Sequence, residues 1–368
     1  MKRFWVILIV GIGLRLFLSL STLHPDLGAL SLGGKFVSDG HILNLYEFST
    51  DALVLNYPPL IYWFFGLLNL LFGNSLYLMK LSYLIFDLTL GLILTKLVNS
   101  QNKILTFSLW MFNPISLYAT YMMGQFDIIP TFFSVLSIYL ALKNKLTWAA
   151  LVLGVGIAFK LYPVFLIIPL ILLGKGLWTK AKLVVYTLLP YIASVLPYIS
   201  SSNFRSNALF ANQSSKSLYA SIPVSGGESI LLFPTFIVLF YFLILRQRVD
   251  KVSLWKLYLA PLLLFFIFTH FHPQWLIWVT PFLILDLVFD RLKNVLPILI
   301  IFISWILSLF FFDASLTTKM FAPLFPFLKL TPDIWTLLKF SVDYNFARSL
   351  LQSIFAGAAI YIIYKRLK

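Results

Sequence analysis

Long apolar runs alternate with short polar breaks along almost the whole chain. Read as helices, the runs predict segments at about 4–23, 77–95, 104–122, 128–142, 146–159, 162–174, 183–200, 230–245, 257–270, 275–289, 295–312 and 349–364. Several approach the ~20 residues that cross a bilayer, and the expectation is about twelve transmembrane helices. The apolar run at 60–73 is shorter and follows Pro58-Pro59. It reads as an interfacial or re-entrant helix with proline at its start. Between the runs lie three larger outer segments, at about 24–57, 201–229 and 313–348. None is long enough for a separate soluble domain. The expected architecture is all-α and polytopic, one integral membrane domain over 1–368.

Composition sharpens this. The chain is 60% hydrophobic and 11% charged, with mean hydropathy +0.93; a soluble domain carries about 25% charged residues. The net charge of +15 sits in short basic breaks: Lys2-Arg3, Lys96 to Lys103, Lys143 to Lys145, Lys175 to Lys182, Arg246 to Lys256, Arg291 to Lys293 and Lys365 to Lys368. Basic short loops mark the cytoplasmic side of a membrane protein and do not call for nucleic acid. If all are cytoplasmic, both termini are inside and the number of crossings is even, which leaves 60–73 out of the count. The absence of cysteine excludes disulfides and thiolate metal sites. The start, Met1-Lys2-Arg3 before an apolar run, resembles a signal peptide, but Arg15 interrupts the run and no small-residue cleavage site follows, so it reads as a first span.

With this topology all four histidines (His24, His41, His270, His272) and most of the acids fall on the outer face. Asn212-Gln213-Ser214 is a glycosylation-type triplet there, a pattern common by chance. Asp39, in Val37-Ser38-Asp39-Gly40-His41, can serve as a base at the membrane surface, or can belong to an ordinary Asp-Gly turn. Asp127, in Gly124-Gln125-Phe126-Asp127, sits at the mouth of two spans as a site residue or as a helix N-cap. Lys160, in Phe159-Lys160-Leu161-Tyr162-Pro163, departs from the positive-inside pattern and suits a phosphate, though a snorkelling lysine is the plain alternative. The short apolar runs on either side of it suggest a cavity. His270 and His272, before Pro273-Gln274, favour an anion or a cap over a metal, because a third ligand is missing. Arg15 and Asp87 lie inside predicted spans and are expected to pair. Trp5, Trp63, Trp275 and Trp278 read as interfacial belts.

Taken in order, these pieces resemble a known group. An Asp in the first outer loop followed by Tyr57-Pro58-Pro59 is similar to the GT-C superfamily of integral membrane glycosyltransferases. Phe112-Asn113-Pro114, Gly124-Gln125-Phe126-Asp127, Phe159-Lys160-Leu161-Tyr162-Pro163 and His272-Pro273-Gln274-Trp275-Leu276-Ile277-Trp278 resemble the GPI mannosyltransferase I catalytic subunit, its bacterial relatives and glycosyltransferase family 87. The resemblance covers about 1–290. It implies a catalytic module there, with the first outer loop at 24–57, and a C-terminal part of helices and an outer loop at 291–368.

The resemblance implies a polyprenyl- or dolichyl-phosphate sugar donor, used on the non-cytoplasmic face with inversion. The sugar is expected to be mannose and the acceptor a lipid, glycan or protein of the cell envelope. Asp39 maps to the acidic catalytic residue. Many members carry two close acids there, whereas this chain has Ser-Asp-Gly with Asp26, Glu47 and Asp51 farther off. That leaves open whether Asp39 acts alone and whether a divalent metal (Mg or Mn) takes part. Lys160, Tyr162, His270, His272, Gln274, Gln125, Asp127, Tyr57 and Arg15 form the expected donor- and substrate-binding set. The membrane would be the plasma membrane in a bacterium and the endoplasmic reticulum in a eukaryote. The competing readings are a multi-pass transporter or lipid-linked sugar flippase, and a non-catalytic subunit of a glycan-assembly complex. No internal repeat of the transporter kind stands out.

Overall fold

The computed structural model describes residues 2–211, 215–247 and 249–368. The triplet at 212–214 lies outside the described residues, as does Arg248 within the basic segment after residue 245. The fold is a bundle of apolar helices. Among the described residues four helical segments are long and apolar enough to cross a membrane: Lys2–Ser21, Leu76–Leu97, Leu177–Tyr198 and Tyr344–Leu367. Shorter apolar helices fill the rest, among them Ile128–Leu142, Leu146–Phe159 and Leu254–Phe268.

Helix α1 (Lys2–Ser21) is followed after a three-residue link by α2 (Pro25–Ser38). The expectation of an outer loop over 24–57 is corrected here, since its first half is helical. Pro25 stands at the first helical position, where its missing N–H costs nothing, and the His24 side chain caps the helix by accepting from Asp26 N–H. Helix α2 lies against α3 (Pro59–Phe72), the expected short helix after the prolines. They approach closely because α2 presents glycine to α3. A Cβ at Gly34 would collide with Phe65 and the Gly66 backbone.

Helices α4 (Leu76–Ser82) and α5 (Leu84–Leu97) run on through Tyr83. Helix α6 (Lys103–Met111) ends where the sequence suggested a span continuing to 122. Pro114 breaks it, and the Asn113 carboxamide accepts from the N–H groups of Ile115 and Ser116 at 2.9 and 3.2 Å to start a new turn. That turn continues as a π-helical stretch, Leu117–Met122, of the kind often found at functional sites. Helices α8 (Ile128–Leu142) and α9 (Leu146–Phe159), numbering the Pro114–Ser116 turn as α7, pack as a hairpin. Their ends coincide with the hydrophobic runs.

The all-α expectation needs one amendment. Ser221–Ser225 and Glu228–Leu231 form an exposed antiparallel hairpin ahead of the Leu232–Leu245 helix. Arg15 and Asp87 are paired, as expected. Arg15 Nε donates to Asp87 Oδ2 at 2.5 Å, both side chains fully buried, and Tyr121 and Trp110 donate to the same carboxylate. An unpaired charge would be costly there.

Candidate active site

The ends of α1 and α9, the turn before α8 and the late outer turn at 272–278 converge on one face. Three features set their relative positions. Lys80, buried on α4, donates to the carbonyls of Thr22 (2.5 Å) and Tyr121 (3.1 Å). Tyr83 donates to the Gly124 carbonyl at 3.1 Å. Gly124 has φ +70°, which a side chain would strain, and a Cβ there would press on Leu27 and Lys80. The chain thereby turns Gln125 toward α2, and Gln125 Nε2 donates to Asp26 Oδ2 at 2.6 Å.

Two cavities flank Tyr57 and Asn56, which line both. The larger, about 270 Å³, is mostly apolar, walled by Tyr57, Tyr162, Phe165, Trp275 and Trp278, with Lys160 its one charged residue among those described. The smaller, about 160 Å³, holds Asp26, Gln125 and Tyr62.

Lys160 is the centre of the first. It ends α9 in extended backbone, and its ammonium sits 2.7 Å from Asp127 Oδ1. Four rings face that ammonium: Tyr57 at 5.5 Å, Phe126 at 5.2 Å, Trp275 at 5.3 Å and Trp278 at 5.2 Å from their centroids. Cation–π contacts and one ion pair hold a buried charge that a plain apolar site would expel. Trp278 also donates to Asp127 Oδ1 and stacks on Tyr162 at 4.2 Å. Tyr162 shares a 3.0 Å hydrogen bond with Thr131. Asp127 begins α8 but its side chain caps nothing, so the N-cap alternative gives way to a Lys160 partner. The belt reading of Trp275 and Trp278 is corrected as well, because both are buried against Lys160.

A second cation reaches the same wall. Lys216 lies 5.8 Å from the Trp275 ring centroid, and its ammonium is 3.1 Å from His272 Nε2. An ammonium only donates, so Nε2 accepts and the His272 proton is on Nδ1. Burial first, then Lys216, His270 and Lys160, push the His272 pKa down to about 4. The imidazole is therefore neutral. His270 is exposed and faces Phe312 and a small cavity with Arg348. Gln274 is buried, with its Oε1 lacking a hydrogen-bond partner.

In the second cavity the Asp26 side chain is 49% exposed. His24 Nδ1 stands 3.6 Å from Asp26 Oδ1. That nitrogen accepts from the Asp26 N–H at 3.2 Å, and burial lowers the His24 pKa, so the contact is no ion pair. Burial, reinforced by Asp127 and Asp26, raises the Tyr57 phenol well above its ordinary pKa, making it a donor and not a base.

The expected set is thus divided. Lys160, Tyr162, Asp127, Tyr57, Gln125 and His272 come together around the two cavities, whereas Gln274 is buried beside Trp275 in the chain without lining either. Arg15 does not, being sealed with Asp87 in the bundle. Asp39 does not either. It follows the last residue of α2, exposed, thirteen residues from Asp26 and about 20 Å along the helix axis. Asn56 and Lys216 were not anticipated; Lys216 is one of several lysines in the outer segments, with Lys35, Lys319, Lys329 and Lys339, and nothing in the sequence set it apart. Among the described residues no group of three or more His, Asp or Glu stands together to hold a metal ion. Asp127 is committed to Lys160, which leaves Asp26 as the acid facing the cavities, so no step below is routed through a metal.

The chain is similar to known proteins in three ways. A family model described as Mannosyltransferase (PIG-M) matches residues 120–210, which include Gln125, Asp127, Lys160 and Tyr162. GPI mannosyltransferase 1 of Saccharomyces cerevisiae is 30% identical over 118 residues, 31% of this chain and 28% of that protein. The chain therefore matches little more than a quarter of that relative's length. The crystal structure of ArnT from Cupriavidus metallidurans bound to undecaprenyl phosphate aligns with 100% of this chain and 77% of that one, with TM-score 0.52 at 13% identity. Its apo form gives TM-score 0.50 at 15% identity, over 99% and 76% of the two chains. The chain is thus an integral membrane protein with the fold seen in ArnT, and its residues 120–210 are similar to the Mannosyltransferase (PIG-M) family.

Proposed function

We propose that the chain is an inverting glycosyltransferase that moves a hexose, mannose by family likeness, from a polyprenyl- or dolichyl-phosphate sugar to an acceptor hydroxyl. The observation that carries this reading is the separation of charge across Tyr57. Lys160, Lys216 and the indoles lie on one side, and the Asp26 carboxylate lies on the other.

The larger cavity suits the donor. Its apolar wall accepts the first isoprene units, and Lys160, joined by Lys216 and His272 at the rim, faces the phosphate. Undecaprenyl phosphate is the lipid bound in the ArnT structure. Fixed positive charge stabilises negative charge that grows on the phosphate as the glycosidic bond breaks. The smaller cavity suits the acceptor. Asp26 takes the hydroxyl proton, the oxygen attacks the anomeric carbon, and the C1–O bond to phosphate breaks with its electron pair leaving on the phosphate. One displacement inverts the anomeric centre. Asp26 takes the role the sequence gave to Asp39, because it faces Gln125 and the shared Tyr57 wall, whereas Asp39 ends α2 on the far side.

The test is transfer of labelled mannose from polyprenyl-phosphate mannose by membranes containing the chain, with native acceptors present. Labelled product supports the reading. Absence of product from the mannosyl, glucosyl and arabinosyl donors, together with substrate flux in proteoliposomes, would replace it with the transporter reading.

A further inference from the structure

The recess beside Asp26 has a composition that identifies what it takes, given the transferase reading on which this inference rests. We infer that it is the acceptor subsite and that it takes a single uncharged polyol ring, such as an unphosphorylated pyranose, to the exclusion of phosphorylated rings.

Size comes first. At about 160 Å³ the recess is well below the ~300 Å³ where sites for drug-sized ligands begin, so it holds one small ring. Its lining is mixed in the way a sugar requires. Leu30 and Leu55 supply an apolar surface for the C–H face of a ring. Asn56 supplies a carboxamide that can both donate and accept, and Tyr57 supplies a phenol held protonated. Gln125 is turned to Asp26 by its hydrogen bond.

Charge decides the rest. Among the described residues Asp26 is the only ionic side chain lining the recess. Lys160 lines the other cavity, and Lys216 lies against Trp275 on that side of Tyr57. A phosphate on the acceptor ring would meet a carboxylate without a compensating cation, a repulsion of several-fold to a thousand-fold in affinity near a protein surface, depending on separation. A ring carrying an ammonium would pair with Asp26 and occupy the lone pair that must accept the hydroxyl proton. An uncharged ring avoids both. The division also keeps the two substrates in register, since the donor phosphate is drawn to the lysines and repelled from the recess.

The experiment is binding of octyl mannoside and octyl mannoside 6-phosphate to the full chain in nanodiscs, by saturation-transfer NMR and calorimetry, with undecaprenyl phosphate as the reference ligand. The neutral glycoside should bind and the phosphorylated one should bind about tenfold or more weakly. Ala29→Trp places an indole in the recess from an exposed position of α2, so the variant can fold. It should abolish glycoside binding and leave undecaprenyl phosphate binding intact. Equal or tighter binding of the phosphorylated glycoside, glycoside binding that survives in Ala29→Trp, or no glycoside binding while undecaprenyl phosphate still binds would each overturn the inference. Loss of undecaprenyl phosphate binding by the wild type would instead overturn the transferase reading beneath it.

Discussion

Gln125 Nε2 donates to Asp26 Oδ2 across 2.6 Å, joining the link between the π-helical stretch and α8 to the first turn of α2. The bond leaves Asp26 Oδ1 for the acceptor and fixes the direction from which that oxygen meets it. A hydrogen bond to a charged group contributes about 1.5–3 kcal/mol, and each 1.4 kcal/mol lost in the transition state is a tenfold change in rate. Gln125→Leu should therefore lower kcat by roughly tenfold or more with little change in the KM for the donor, which lies on the other side of Tyr57. Steady-state rates over a series of donor concentrations check this. An unchanged kcat, or a loss confined to donor KM, would show that Gln125 does not orient the base.

Lys160 and Asp127 form a buried pair, and removing one partner leaves the other's charge unpaired. Lys160→Met should destabilise the protein by about 3–5 kcal/mol, the usual scale for breaking a buried pair from one side. Combining it with Asp127→Asn should recover much of the thermal stability. The double variant should still use donor poorly, because the cation beside Trp275 and Trp278 is gone. Thermal unfolding and donor dependence measured on all three proteins separate the two roles. A double variant with normal donor use would make Lys160 purely structural.

The three outer histidines with lowered pKa set a pH dependence of stability. His272 has a folded pKa of about 4 against 6.5 in a solvated chain. Between those values the unfolded state binds more protons, so stability rises with pH across the window. Its contribution is complete above pH 6.5 and is lost as pH falls toward 4. His24 and His270 shift in the same direction. His272→Gln should flatten the fall of melting temperature between those two pH values without altering its course at higher pH. A variant whose acid limb matches the wild type would contradict a neutral, half-buried imidazole beside Lys216.

Much of this was legible in the sequence because hydrophobic runs and isolated charges are local signals. The ends of α9 match the apolar run at 146–159, and Arg15 and Asp87 pair because neither has another way to remain charged inside the bundle. Lys160, Asp127 and Tyr162 entered one expected set only through the family resemblance, and the ion pair between the first two was not visible in the sequence. What misled was Gly28, Gly33 and Gly34 after Pro25, which suit a loop. In the fold Gly33 and Gly34 are close-approach positions, with a Cβ at Gly33 standing 2.6 Å from the Tyr62 ring. Once 25–38 is a helix, its ends are far apart, and Asp26 and Asp39 cannot share a site. The burial of Trp275 and Trp278 was equally hidden. An apolar outer turn next to a lysine on another helix looks the same in sequence whether its indoles face lipid or that lysine. Lys216 was invisible for want of any periodic context in its segment.

The central claim is that Asp26 is the base, and paired amide variants test it most directly. Mannose transfer from polyprenyl-phosphate mannose should be measured for wild type, Asp26→Asn and Asp39→Asn, with undecaprenyl phosphate binding followed in parallel. The account predicts that Asp26→Asn loses transfer by at least about a hundredfold, the lower range for a general base, while still binding the lipid phosphate. Asp39→Asn, at the exposed end of α2, should remain close to wild type. Transfer retained in Asp26→Asn and lost in Asp39→Asn would contradict the account.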